Sequence, residues 1–248
     1  MTIRGGSRGR LSERASEYPG QRMVRIDVLG PLRVTSGRRP ADIGGQRVEL
    51  LAWLVMHANR PLPIGEVSRM LGDGARHGTA PQVRIQLRRL AVALPNGVVQ
   101  VDEATVRLVL TEDAVDASRF SALAAAARRH WREGRHERVA ADVDGALALW
   151  RSDPYPELLR YSAAIPEIQR LRRLRLGVLE MQQELAMDDG VDFTTVSTLR
   201  HLIAAHPERL GFRLMLARAL HLMDRQVDAL EVLRRASADL GGIRPHND

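Results

Sequence analysis

Apolar residues are spaced differently in the two halves of the chain. Over residues 24–34 they alternate with polar residues, which predicts a short hairpin around Gly30-Pro31, and a third short strand is expected near Ile43. Helical spacing then predicts three helices, and alternation returns in a closing hairpin. The helices cover 46–58, 63–71 and 79–94, and the hairpin covers 98–110.

Beyond residue 112 the pattern is helical. Helices are predicted over 116–133, 136–150, 163–187, 192–205, 208–223 and 226–240. The last two have tetratricopeptide spacing, in which small or apolar residues let paired helices pack closely. These residues are Leu216, Ala217, Leu220, Ala229, Leu233 and Ala236. The predicted fold is mainly α with a small β component: an N-terminal winged helix-turn-helix followed by a tetratricopeptide-like all-α helical repeat domain.

The helix predicted over 79–94 is the candidate DNA-reading element. Its apolar face carries Val83, Leu87, Leu90 and Leu94, and no acidic residue occurs in the segment. Thr79 and Gln82 have the spacing of a capping box. Three helices followed by a hairpin are typical of a winged helix-turn-helix, whose third helix enters the DNA major groove and whose hairpin is the wing. On this segment alone, a solvated surface helix is an equal alternative.

Arginine side chains on this helix suit DNA because phosphates attract cations and guanine edges accept two hydrogen bonds from one guanidinium. Arg84 and Arg88 are the main candidates. Ile85 could contact a thymine methyl group or pack against the wing, and Arg107 in the wing could contact a phosphate or the minor groove. The full set of predicted DNA-binding residues is Gln82, Arg84, Ile85, Arg88, Arg89 and Arg107.

Charge is distributed unevenly along the chain. All 37 basic residues are arginine, and the net charge is +7. Residues 1–22 form a Gly-, Ser- and Arg-rich segment that is expected to be a disordered basic tail, and Met23 could be the native start. Residues 23–111 carry twelve arginines against seven acidic residues, whereas 112–248 is nearly neutral. The predicted domains are therefore a DNA-binding domain over 23–111 and a helical domain over 112–248.

Motifs of catalysis are missing from the sequence. The absence of cysteine excludes disulfides and thiolate metal sites, and the absence of lysine excludes a phosphate-binding P-loop. Eight histidines occur without metal-ligand spacing, and no nucleophile motif is present. We therefore expect a protein that is not an enzyme and has no cofactor and no metal. No apolar run has the length of a membrane span, so a membrane partner is not expected.

Six segments together resemble the Streptomyces antibiotic regulatory protein family, which joins an OmpR-like winged helix to a bacterial transcriptional activation domain. The segments are VLGPLRV (28–34), LLAWLVMHANRPLP (50–63), VDASRF (115–120), ALALWR (146–151), RLRRLRL (170–176) and DRQVDALEVLRRA (224–236). The resemblance implies a cytoplasmic activator of a biosynthetic gene cluster. Such an activator binds direct repeats in promoter DNA, as a homodimer at least on DNA, and recruits RNA polymerase.

The resemblance also implies a polymerase-facing loop over Gly72–Gly78, with Asp73, Arg76 and His77 as its candidate contacts. The chain departs from the family pattern in three places. Leu71 stands where a tryptophan is usual, Ala91-Val92 where arginines are usual, and Thr105-Val106 where the wing usually has Gly-Tyr.

These departures support an alternative function, a tetratricopeptide-like interaction scaffold with a degenerate winged helix. A salt titration of DNA binding would separate the two functions, because only an activator keeps a sequence preference. A second alternative is a regulator that holds a small ligand in its helical domain, although the sequence offers no convergent polar set for one.

Overall fold

The computed structural model describes residues 24–37, 39–72 and 79–241. Its strands are β1 (Val24–Asp27), β2 (Arg33–Ser36), β3 (Arg39–Pro40), β4 (Leu62–Pro63), β5 (Val99–Val101) and β6 (Thr105–Leu108). Its helices are α1 (Gln46–Met56), α2 (Ile64–Gly72), α3 (Ala80–Ala93), α4 (Asp116–Arg132), α5 (His136–Leu147), α6 (Ile165–Asp188), α7 (Phe193–Ala205), α8 (Leu210–Leu222) and α9 (Gln226–Gly241). The predicted tail and its possible start at Met23 lie outside the described residues.

The N-terminal hairpin is confirmed, and it belongs to an antiparallel sheet in the order β1-β2-β3. Val24 pairs with Ser36, and the alternating residues Val24 and Ile26 are buried. The third strand was predicted at the wrong place: it lies at Arg39–Pro40 and not near Ile43. The reason is that Gly37, with a φ of 62°, turns the chain back immediately after β2.

The three predicted helices of the N-terminal half are confirmed as α1, α2 and α3. Between the first two, the chain forms the short strand β4, which the sequence pattern did not predict. β4 pairs with β6, and β6 pairs with β5, so the wing hairpin is the larger part of a second sheet in the order β4-β6-β5. Two residues that include a proline are too short for a strand pattern to be visible in the sequence.

The helical pattern beyond residue 112 is confirmed by α4 to α9. Ala127 of α4 and Val143 and Ala146 of α5 are buried, and a hydrogen bond of 2.7 Å between His130 Nδ1 and Asp142 joins the two helices. Ala229 and Ala236 are buried in α9. Two expectations were wrong. Leu233 is 40% exposed, although helical spacing puts it on the same face as the buried Ala229 and Ala236. The helix predicted to reach residue 150 ends at Leu147, after which the chain runs through 3₁₀ turns at 156–158 and 162–164.

The chain divides into two compact units that do not follow its order. The first unit continues to Ala122 and adds Ala148–Arg173, whereas the second contains Leu123–Leu147 and the chain from Leu174 onward. The first unit thus combines the winged helix with the beginning of the helical half. The division into domains at residues 111 and 112, which the sequence composition indicates, remains a prediction.

A loop between β1 and β2, which we name the 28–32 loop, explains why the first unit includes segments from the helical half of the chain. The Asp116 carboxylate accepts hydrogen bonds from the backbone N–H groups of Val28 (2.7 Å) and Leu29 (3.0 Å). The backbone N–H groups of Arg151 and Tyr155 donate to the carbonyls of the same two residues, each over 2.8 Å. A distant part of the chain therefore satisfies the backbone polar groups of this loop.

The same loop requires glycine at one position. Gly30 has a φ of 138°, and a Cβ added there would lie 2.9 Å from the Cβ of Arg151. Arg151 in turn donates a hydrogen bond to the carbonyl of Pro31 (2.7 Å). Both the backbone conformation and the close approach of Arg151 thus exclude a side chain at residue 30.

Candidate nucleic-acid interface

Helix α3 has one buried face and one exposed face, as the sequence predicted. Val83, Leu87 and Leu90 are buried in the first unit, and Leu94 is buried just after the helix ends. The helix begins after Thr79, whose backbone N–H donates to the Gln82 Oε1 over 3.3 Å, with Pro81 in the first turn. Burial of one face and the capping box fix the helix, so its other face stays in solvent.

The exposed face carries the predicted contact residues. Arg88 and Arg89 are exposed, and within the described residues neither guanidinium has a side-chain partner. Ile85 is 50% exposed and Val92 is 88% exposed, so an apolar strip runs beside the arginines. Gln82 is also exposed, but its amide oxygen is occupied by the capping box. This face offers free positive charge and apolar contact together.

Arg84 has a different environment from the other arginines of α3. Its Nη2 donates a hydrogen bond to the backbone carbonyl of Glu103 at the tip of the wing. The sequence predicted Arg84, together with Arg88, as a DNA contact and carried no signal for this bond between helix and wing. One nitrogen of the Arg84 guanidinium is therefore used inside the protein.

The wing tip is a turn built around Asp102. Its carboxylate accepts hydrogen bonds from the Thr105 hydroxyl (2.7 Å) and from the backbone N–H groups of Thr105 (2.6 Å) and Ala104 (2.9 Å). These hydrogen bonds, led by that of the Thr105 hydroxyl, lower the pKa of Asp102. Asp102 and Glu103 thus place negative charge at the tip, whereas Arg107 lies exposed in β6 opposite Gln100.

Asn59 connects α1 to the strand side of the wing. It has a positive φ of 66°, and its side-chain amide donates to the Leu110 carbonyl (2.9 Å) and accepts from the Leu110 N–H (3.0 Å). Its backbone N–H donates to the carbonyl of Leu108 over 2.8 Å. In the sequence, Asn59 is recognisable only as part of a helix end. Its contacts hold the wing against the helical core.

The predicted polymerase-facing residues Asp73, Arg76 and His77 lie outside the described residues. In the described part of the chain, no three histidine or acidic side chains are grouped to hold a metal ion. Over the same ranges, no helix has both the length and the apolar character needed to cross a membrane.

A cavity of about 580 Å³ lies in the first unit beside α1, α4 and α6. Its arginines already hold carboxylates: Arg119 binds Asp27 over 3.1 Å, and Arg170 binds Glu167 over 2.7 Å. The cavity therefore offers polar groups that were invisible in the sequence, but its cations are engaged within the protein. The ligand-sensing alternative remains a prediction.

Comparison with known proteins assigns the helical half of the chain to a known domain family. Residues 115–242 match the family model described as the bacterial transcriptional activator domain, which covers just over half of the chain. The regulatory protein AfsR of Streptomyces coelicolor is 32% identical over 236 residues, a match that covers 90% of this chain. The chain belongs to the Streptomyces antibiotic regulatory protein family.

Other family members match more narrowly. The regulatory protein DnrI of Streptomyces peucetius is 32% identical over 135 residues, which cover 52% of this chain and 49% of DnrI. The match to AfsR spans only 23% of that protein, so the chain corresponds to less than a quarter of this longer relative.

A solved structure shares the fold. Mycobacterium tuberculosis EmbR, determined in complex with a low-affinity phosphopeptide, aligns with a TM-score of 0.77 at 25% sequence identity. The alignment covers 89% of this chain and 60% of the EmbR chain. The likeness therefore includes both the winged helix and the helical half.

Proposed function

We propose that this protein is a sequence-specific DNA-binding transcriptional regulator, an activator that places α3 in the major groove of promoter DNA. The observation that carries the proposal is the exposed, acid-free face of α3 on a helix whose opposite face is buried. Arg88 and Arg89 are the proposed base or phosphate contacts, because their guanidinium groups are exposed and unpaired among the described residues. Family membership supports the regulatory role.

The wing has a more restricted role in this proposal. Asp102 and Glu103 at its tip would repel phosphates, so the tip itself is not the DNA contact. Arg107, in the strand behind the tip, is the proposed phosphate or minor-groove contact. Arg84 acts chiefly by holding the wing tip against α3 through the Glu103 carbonyl.

Binding to direct repeats as a homodimer and recruitment of RNA polymerase complete the proposal. The loop Gly72–Gly78 is the proposed polymerase contact. In vitro transcription with an Asp73→Ala, Arg76→Ala double variant tests this: transcription should fall while promoter affinity is kept. Equal loss of both would remove the loop from the polymerase contact.

The decisive experiment measures binding to a labelled fragment of upstream promoter DNA by fluorescence anisotropy. Arg88→Ala should weaken binding by about 1–3 kcal/mol if this residue reads a base. The matched control is Arg138→Ala, which removes the same charge from an exposed site on α5. Equal affinities of the two variants would eliminate Arg88 as a contact.

A scaffold function is the second candidate, and one observation favours it. Val92 and Ile85 make part of the outer face of α3 apolar, which suits a protein partner better than a phosphate backbone. A salt titration separates the two functions. An activator loses affinity with rising salt but keeps a preferred sequence, whereas a scaffold shows no preferred sequence at any salt concentration.

A further inference from the structure

A cavity of about 350 Å³ opens between α7, α8 and α9 in the second unit. We name it the α7–α9 groove. Its floor is α8, where Leu216 and Leu220 line the cavity and are buried. Ile203 of α7 and Val232 of α9 are half-buried and form the lower parts of the two walls. The groove thus offers an apolar surface large enough for an anchoring side chain.

Arginines line the upper part of the groove. Arg200 stands on the α7 wall and Arg235 on the α9 wall, and both are exposed. Arg213 of α8 also lines the cavity. Positive groups therefore lie on either side of the apolar floor, on helices that face each other across the groove.

The two carboxylates of the groove are already bound by arginines. Asp228 accepts a hydrogen bond from the Nε of Arg225 (2.7 Å) and forms an ion pair with its Nη2 (2.6 Å); Arg225 is not itself a lining residue. Glu231 pairs with Arg235 one turn further along α9. Arg200 has no side-chain partner among the described residues. Among the described lining residues, Arg200 is therefore the cation left to meet a carboxylate of a partner.

We propose that the α7–α9 groove binds an acidic segment of a protein partner. An apolar side chain of the segment packs between Ile203 and Val232, and a carboxylate beside it pairs with Arg200. DNA does not fit, because a phosphate backbone has no apolar group for this contact. A peptide in which leucines are flanked by glutamates supplies both kinds of contact.

The test measures binding of a fluorescein-labelled peptide, Glu-Glu-Leu-Glu-Glu-Leu-Glu-Glu, to the full chain by fluorescence anisotropy. The peptide should bind, and affinity should fall as salt rises. Arg200→Glu should weaken binding by about tenfold, since it removes one cation and adds a repelling charge. The matched control is Arg138→Glu on α5, which makes the same charge change outside the groove and should leave binding within about twofold of the parent chain.

Two further peptides distinguish groove binding from attraction to a basic protein. A serine-for-leucine peptide keeps every charge and tests the apolar contact without altering the protein, and it should bind at least about tenfold more weakly. A lysine-for-glutamate peptide should not bind. Equal binding of the leucine and serine peptides, or equal effects of Arg200→Glu and Arg138→Glu, would overturn the proposal. Promoter affinity of Arg200→Glu should be unchanged, so this result stands apart from the DNA-binding proposal.

Discussion

Asn59 shows how much a single side chain contributes to the position of the wing. Two hydrogen bonds link its amide to the backbone of Leu110, and its left-handed backbone conformation is one that asparagine tolerates better than most residues. We expect Asn59→Ala to lower the free energy of unfolding by about 1–3 kcal/mol, because it leaves both Leu110 groups without their partners.

Urea denaturation of the full chain measures this loss. Asn59→Gly is the matched comparison, since glycine accepts the positive φ but lacks the amide. The alanine variant should be the less stable of the two. An alanine variant as stable as the parent would show that the Leu110 groups find other partners.

Asp116 makes a pH-dependent contribution to stability. Burial, the largest cause, raises the pKa of this carboxyl above its ordinary value of 3.8, although the hydrogen bonds from Val28 and Leu29 oppose the shift. The folded state therefore binds the proton more tightly than the unfolded state. The resulting stabilisation is fully present below pH 3.8 and is lost as pH rises through the raised pKa.

The Asp116→Asn variant does not titrate at this position, so it isolates the effect. The stability of the parent chain relative to this variant should decrease as pH rises from 3.8 through the raised pKa. Urea midpoints of both proteins over this range give the difference. If the parent chain instead gained stability relative to the variant as pH rises, the hydrogen bonds would outweigh burial.

Among the elements, α3 and the wing are joined by Arg84. Without the bond to the Glu103 carbonyl, the wing tip keeps its local turn around Asp102 and the hydrogen bond that the Ile64 N–H donates to the Ala104 carbonyl (2.8 Å), but no longer contacts α3 through Arg84. We expect Arg84→Ala to speed hydrogen exchange of the backbone amides in residues 99–108 by several-fold. Mass spectrometry of the free protein measures this exchange, and Arg88→Ala should leave it unchanged. Equal exchange in both variants would show that Arg84 does not stabilise the wing, and Arg84 would then be considered only as a DNA contact.

Helices were easier to predict than short strands. Leu87 and Leu90 repeat at helical spacing, so α3 and its buried face could be derived from the sequence alone. β4 could not, because two residues carry no period, and β3 depended on the turn at Gly37. The exposure of Arg88 follows from the same helical spacing. The hydrogen bond of Arg84 does not, because it joins residues brought together by the fold.

At the scale of the molecule, the winged helix depends on residues beyond its sequence boundary. Asp116, Arg151 and Tyr155 satisfy backbone groups of the 28–32 loop, and the Tyr161 hydroxyl donates to Glu49 of α1 over 2.6 Å. Composition and charge could not predict this, since they describe neighbours along the chain and these partners are 87 or more residues apart.

A fragment that ends at residue 111 should therefore be much less stable than the winged helix within the full chain. It loses every one of the partners that the 28–32 loop and Glu49 have in the helical half. Trp53 is the one tryptophan of residues 1–111, so urea denaturation of the fragment is compared by Trp53 fluorescence with that of a full chain that carries Trp131→Phe and Trp150→Phe. We expect a lower midpoint and a broader transition. A fragment with the midpoint of the full chain would show that the winged helix is self-sufficient.

The fit of Arg151 against Gly30 also affects how DNA specificity could be transferred between relatives. A hybrid joined at residue 111 would set a loop from one parent against Asp116 and Arg151 from the other, where the Cβ of Arg151 leaves only 2.9 Å to the place that a Cβ at residue 30 would take. A graft of residues 79–94 alone leaves that contact within a single parent. Transplanting residues 79–94 alone therefore preserves the contact between Gly30 and Arg151.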